Sequence, residues 1–219
     1  MTKTNKIKFF ILSAAAMFVF NFSASAQSAG FIKNSEKPLY KSESDEKANC
    51  YVFNRYVVKA NLKKNEKEDI GTGEGYEIDI FKRDVKGNLK KSCEISADSL
   101  LNLKNVEGNE IGGVFGDLFF VRRNVFPDGG DLDVYDLETG KVVFTTEFSE
   151  WDGYDMNITN GKFLHYRQWS KKDGLLKNCA PAKQWKKQGL GIGWLQTKRL
   201  DLTTRKEISV GALRCISVQ

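Results

Sequence analysis

Residues 116–148 read GDLFFVRRNVFPDGGDLDVYDLETGKVVFTTEF. Three apolar or alternating runs, 118–122, 132–137 and 142–148, are separated by two turn signals, Pro127-Asp128-Gly129-Gly130 and Glu138-Thr139-Gly140-Lys141. Period-two alternation broken by Gly- and Asp-rich clusters specifies antiparallel strands, so this stretch predicts a meander. Looser versions of the same unit fill the rest of the chain. A strand is expected over 50–62, whose aromatic and β-branched content favours extended backbone. Residues 76–82 and 89–95 are expected to pair across Asp84-Val85-Lys86-Gly87-Asn88, where Gly and Asn accept positive φ. Residues 156–158 and 162–169 flank Asn160-Gly161, a strong hairpin signal. The chain closes with strands at 194–202 and 207–218 around Thr203-Thr204-Arg205-Lys206. Residues 97–106 read as a short helix or a strand edge, with Ser96 and Asp98 as candidate caps. No segment longer than about ten residues carries a helical period. The expectation is an all-β domain of antiparallel meanders with little helix.

Three hairpins share a pattern in which a strand ends at Asp and a short polar turn follows: Asp84, Asp136 and Asp201. The Asp side chain can accept from turn amides, which explains its place. The middle copy, Asp136-Leu137-Glu138-Thr139-Gly140-Lys141, resembles the outer hairpin of blades in bacterial β-propellers, where D-x-x-T-G-K is common. That resemblance implies a propeller-like stack of antiparallel sheets, with a sandwich or barrel as the alternative.

The first 26 residues break the pattern. Lys3, Lys6 and Lys8 precede an apolar run of twelve residues, FFILSAAAMFVF, and Ser23-Ala24-Ser25-Ala26 supplies small residues for a peptidase. This is the layout of a secretory signal peptide cleaved before Gln27. The run is too short for a membrane span, which needs about 20 apolar residues. A periplasmic or secreted location follows. Residues 27–49 are polar and read as a flexible lead-in with room for one short strand near Leu39-Tyr40, and 50–219 as one β domain. The full chain carries +6, but the leader holds three Lys and no acid, leaving +3 on the mature part. So small an excess does not mark a nucleic-acid binder.

Four cysteines, Cys50, Cys93, Cys179 and Cys215, all follow the leader. An even count in an oxidising compartment reads as two disulfides. The sequential pairing, Cys50–Cys93 with Cys179–Cys215, would staple each half of the chain. The nested pairing, Cys50–Cys215 with Cys93–Cys179, would close the first strand onto the last. Without a C-x2-C pair, a four-thiolate zinc site is not seeded.

Candidate chemistry is thin. Gly71, Gly73 and Gly75 invite a phosphate-loop reading, but an alternating strand follows where that site needs a helix. The single histidine, His165, alternates in KFLHYRQW on the same face as Phe163 and Arg167. With no G-x-S-x-G and no second imidazole, it completes neither a triad nor a metal set. Asp128, Asp131, Asp133, Asp136, Asp152 and Asp155 are hard oxygen donors, yet they lack the spacing of a calcium loop. Glu150 with Asp152 or Asp155 gives a carboxylate pair of the kind a glycan hydrolase uses. No cofactor is called for.

The least regular segment, 170–193, stands out more. All four tryptophans, Trp151, Trp169, Trp185 and Trp194, lie in the second half of the chain. Between Trp169 and Trp194 stand Lys171, Lys172, Lys177, Lys183, Lys186 and Lys187, opposed only by Asp173. A loop tied by Cys179 and carrying Trp and Lys suits the surface of an anionic partner. The expectation is an exported, non-enzymatic binding protein for an envelope protein, as an inhibitor or immunity-type partner, or for an envelope glycan. Its site would comprise Trp169, Lys171, Lys172, Lys183, Trp185, Lys186, Lys187 and Trp194. A carboxylate-dependent hydrolase of glycans or peptides is the alternative. The leader reading has a direct check: the intact mass of the exported product should correspond to a chain beginning at Gln27, and a product retaining Met1 would overturn it.

Overall fold

A computed structural model describes residues 31–44, 48–63, 75–104, 110–126, 129–151 and 153–218. The expected leader, Gly71 and Gly73, the Pro127-Asp128 turn and Asp152 lie outside these residues. The strands form three antiparallel sheets, each with its strands side by side in sequence order. Sheet one holds β1 (Tyr40–Ser44), β2 (Ala48–Val52), β3 (Tyr56–Lys63), β4 (Gly75–Lys82) and β5 (Leu101–Leu103). Sheet two holds β6 (Glu110–Phe115), β7 (Leu118–Phe126), β8 (Gly129–Asp136) and β9 (Lys141–Phe148). Sheet three holds β10 (Asn157–Thr159), β11 (Phe163–Trp169), β12 (Gly191–Asp201) and β13 (Glu207–Val218). The all-β expectation holds, as a stack of meanders rather than a closed barrel.

The stacking explains why β7 does not alternate. Leu118 and Phe120 pack with Leu132 and Val134 of β8 against Leu164 and Tyr166 of β11 and Leu200 of β12. Phe119 and Val121, on the opposite face, pack against Tyr51, Val58, Ile78 and Ile80 of sheet one. Strand β7, in the middle of sheet two, is therefore buried on both sides, which turns an alternating strand into a continuous apolar run. Full burial of each such side chain contributes about 1.5–3 kcal/mol.

Residues 31–44, expected as a flexible lead-in, are structured. Ile32 N–H donates to Gly112 O at 2.8 Å and Glu36 N–H to Val114 O at 2.8 Å, both on β6. Lys33 N–H donates to Met156 O at 3.0 Å and Lys33 O accepts from Ile158 N–H at 2.9 Å, on the side of β10. One segment, turning at Asn34, thus bridges the first strands of sheets two and three. Its side chains divide likewise: Phe31 packs with Tyr51 and Phe53 in the core between sheets one and two, and Ile32 sits in the core between sheets two and three. The approach is close enough to require glycine opposite it. Gly113 has φ +111, and a Cβ there would lie 2.7 Å from the Ser35 hydroxyl. The polar composition of 27–49 hid this role, because two apolar side chains suffice for it.

Residues 89–95 do not form the expected strand. Asn88 caps a short helix, α1 (Leu89–Ser92), accepting from Lys90 N–H at 2.9 Å and Lys91 N–H at 3.2 Å. The Asn read as a turn residue is thus an N-cap, and β4 pairs with β5 instead. Helix α1 brings Leu89, Cys93 and Ile95 over Val52, Val57 and Phe81 on the outer face of sheet one. The disulfides follow the sequential pairing, Cys50–Cys93 and Cys179–Cys215. Asn160-Gly161 makes the expected hairpin with φ of 52° and 58°. The recurrent Asp also acts as read: Asp136 accepts from Glu138 and Thr139 amides, Asp201 from Thr203 and Thr204 amides, and Asp84 from the Lys86 amide. Each follows or ends the last strand but one of its sheet.

The role of the bridging segment predicts that Ile32→Ala lowers unfolding stability by about 2–5 kcal/mol, the range of a core truncation. Chemical denaturation of the chain beginning at Gln27 measures it, and a change below about 0.5 kcal/mol would restore the flexible lead-in.

Candidate functional site

The Trp- and Lys-rich segment is a cap on sheet three. Strand β11 ends at Trp169, paired with Leu195, whereas the β12–β13 hairpin runs on to the Gly191–Val218 pair. Residues 170–190 fold onto this overhang. Ser170 N–H donates to Trp194 O at 2.8 Å. Gly174 then rests against the Trp194 ring, where a Cβ would come within 2.4 Å. A single 3-10 turn, Leu176–Asn178, leads to Cys179, and a second helix, α2 (Ala182–Lys187), follows. Cys179, Ala182 and Trp194 form a small core with Trp185, Ile192 and Leu213 at its margin, locked by the bridge to Cys215. Helix α2 has six residues, too few to hold alone in water, and this packing sustains it.

The expected site residues separate into two groups. Trp194, 5% exposed, is the buried floor of the cap. Trp185 is half-buried, while Lys171, Lys172, Lys183, Lys186 and Lys187 are exposed, as is Lys177. Trp169 is 37% exposed and stands 6.3 Å, ring to ring, from Trp151, itself 41% exposed. Trp151, placed by its sequence in an acidic turn, thereby joins the cap. Its indole N–H donates to Ser217 O at 3.0 Å, fixing it across β13. Between Trp151, Trp185, Pro181 and the 213–217 stretch of β13 opens a groove of about 590 Å³.

Beside the cap, β11 and β12 carry a row of cations on aromatic rings that sequence spacing alone did not reveal. Arg199 lies over Phe163 at 4.7 Å and Arg167 over Tyr154 at 4.1 Å. Guanidinium over a ring face is attractive and orients the N–H edge outward. His165, cross-strand from Arg199, contacts the Thr159 hydroxyl at 3.0 Å. Burial, with help from the Arg199 charge, lowers its pKa. Burial also lowers that of Arg167, with the Arg214 charge adding to it.

The carboxylates are engaged elsewhere. Glu150 has a raised pKa because it is desolvated, with Glu110 and Asp155 adding to the rise and Arg122 opposing it. A terminal nitrogen of Arg122 lies 2.9 Å from each Glu150 oxygen, and the guanidinium also stacks over Phe148 at 5.2 Å. A carboxylate held in that way is an ion-pair partner, poorly placed to deliver a proton. Asp133, buried in β8, receives Arg123 at 2.5 Å and the Thr145 hydroxyl at 2.8 Å, and Asp131 lies 3.9 Å from the same guanidinium. The oxygens of Asp131 and Asp133 therefore face a fixed cation. Among the described residues, no three or more His, Cys, Asp or Glu side chains gather in a metal-binding group.

The depressed pKa of His165 fixes a sign. Its unfolded value is near 6.5 and its folded value lower, so folding favours the neutral ring. Stability is complete above about 6.5 and declines as pH falls through the lower folded value. An NMR titration of the single imidazole should give a midpoint below 6.5, and urea midpoints should fall with acidification across that window. A midpoint at or above 6.5 would remove the argument.

In comparisons with protein-family models, curated proteins and solved structures, nothing matches this chain.

Proposed function

We propose that the protein is an exported, non-enzymatic binding protein that recognises an anionic partner of the cell envelope, protein or glycan, through the cap on sheet three. The observation that carries this reading is the division of charge and aromatic surface. Glu150 is paired with Arg122 and Asp133 with Arg123, while the cap turns its lysines outward beside a groove edged by Trp151 and Trp185. Lysine attracts an acidic partner over about 8–10 Å at physiological salt, and tryptophan supplies contact area at small entropic cost. The Cys179–Cys215 bridge holds the loop in shape before any partner arrives, which lowers the ordering cost of binding.

Two disulfides suit an oxidising compartment, and the apolar leader with its small-residue cleavage site provides the route to one. Export and binding thus support each other: a small disulfide-tied β scaffold presents one fixed loop to the envelope.

A pull-down from envelope extract with the chain beginning at Gln27, run beside Trp185→Ala/Lys186→Ala/Lys187→Ala, tests the reading. The wild type should retain a specific acidic protein or glycan, and the triple variant should lose roughly 90% of it, a shift of about 1.4 kcal/mol. Equal capture by both chains would remove the cap from consideration.

A further inference from the structure

The cap ends in a feature that the groove does not use. Leu175 and Leu176 are 61% and 53% exposed, consecutive apolar side chains at the tip of a charged loop. Neither lines the groove. Lys171 and Lys172 precede them and Lys177 follows, all exposed, with Asp173 as the only acid between residues 170 and 190. Soluble proteins seldom spend a rigid loop on presenting adjacent leucines to water. This loop is rigid from beneath: Gly174 is seated on the Trp194 ring and Cys179 is bridged to β13. Trp151 and Trp169 stand half-exposed in the same region, Trp169 packing over Gly193 next to Trp194.

We infer that the cap tip docks on an anionic lipid surface, with Leu175 and Leu176 entering the boundary between headgroups and acyl chains and Lys171, Lys172 and Lys177 resting among the headgroup charges. This goes beyond the proposed function and rests on it for the exposed cationic cap: the leucine-bearing part of the cap meets lipid, while the groove is left to the protein or glycan partner. The physical case is the arrangement of apolar and charged groups. Two adjacent exposed leucines would need a shaped pocket in a protein partner, whereas a bilayer receives them without shape matching. Cations around an apolar tip match a negatively charged leaflet, whose potential draws lysine to within a Debye length. Tryptophan prefers the same depth, its ring in the apolar boundary and its N–H toward polar groups. Because the tip is held by Trp194 and the bridge, docking orders no new chain. No helix of the described residues is long and apolar enough to cross a membrane, so the contact is to one leaflet.

Co-sedimentation with vesicles tests this, with tryptophan emission recorded in parallel. The chain beginning at Gln27 should bind vesicles of phosphatidylglycerol and phosphatidylcholine with a blue-shifted emission, and bind phosphatidylcholine alone on the order of a hundredfold more weakly, the factor that headgroup attraction by three lysines supplies. Leu175→Ser/Leu176→Ser should lose roughly tenfold or more in affinity for the anionic vesicles. Lys171→Gln/Lys172→Gln/Lys177→Gln should lose on the order of a hundredfold, and with it the salt dependence. Both variants change exposed side chains, and an unchanged melting temperature establishes that they fold. Soluble poly-L-glutamate is the parallel probe. If wild type and the leucine variant bind anionic vesicles equally, or phosphatidylcholine alone binds as well, the lipid reading is overturned. If both instead bind poly-L-glutamate equally and ignore vesicles, the lipid reading falls while the anionic-partner reading stands. Retention on neither probe overturns both.

Discussion

Burial of the middle of sheet two on both faces is the constraint from which the remaining architecture follows. A sheet flanked on each side must supply two sets of apolar side chains, and β7 does so in four consecutive residues, Leu118, Phe119, Phe120 and Val121. Its neighbours then need only one strongly apolar face each. The remaining faces of sheets one and three would be left to water, as terminal repeats are in any stacked array, and such ends require caps. The outer face of sheet one is capped by a short helix fixed by a disulfide. In sheet three a second short helix, also fixed by a disulfide, closes the β12–β13 overhang at Trp194 instead.

The caps differ in what they leave exposed. The first brings Leu89 and Ile95 onto Val52, Val57 and Phe81 and ends its part there. The second buries Trp194 and Ala182 but turns six lysines, two leucines and part of Trp185 outward. In the chain-entropy picture a bridge over about 40 residues contributes about 4 kcal/mol. The second loop can therefore be held in one shape without hiding its apolar groups. That separation of stability from surface composition is what frees the loop for recognition.

Charge is sorted by the same stacking. Arg122 and Arg123 project from β7 to opposite faces of sheet two, and each takes carboxylates from neighbouring elements: Glu110 and Glu150 in one case, Asp131 and Asp133 in the other. The acidic clusters of the middle sheet are neutralised within the fold. In sheet three Lys198 pairs with Glu207, but Arg167 and Arg199 lie on aromatic rings and the lysines of the cap remain at the surface. A carboxylate count along the chain suggested chemistry in the acidic turns. The pairing of those carboxylates with arginines shifts attention to the opposite charge.

Local physics made much of this legible in advance. Period-two alternation and turn chemistry determine strand and hairpin from a few adjacent residues, so the β7–β9 meander, the Asn160-Gly161 hairpin and the Asp-terminated turns could be read directly. The spacing of four cysteines made the sequential bridges one of three pairings. Only the tertiary structure decided the rest, because those features depend on partners distant in sequence. Phe31 and Ile32 join two cores through strands some eighty and more than a hundred residues away, and no local pattern encodes that. Asn88 serves turn or N-cap equally well until the exposed face of sheet one selects the helix. Trp151 and Trp194 have the same side chain, yet one lies across an edge strand and the other under a loop. Sequence fixes which side chains are available; the stacking of sheets decides which of them remain in contact with water.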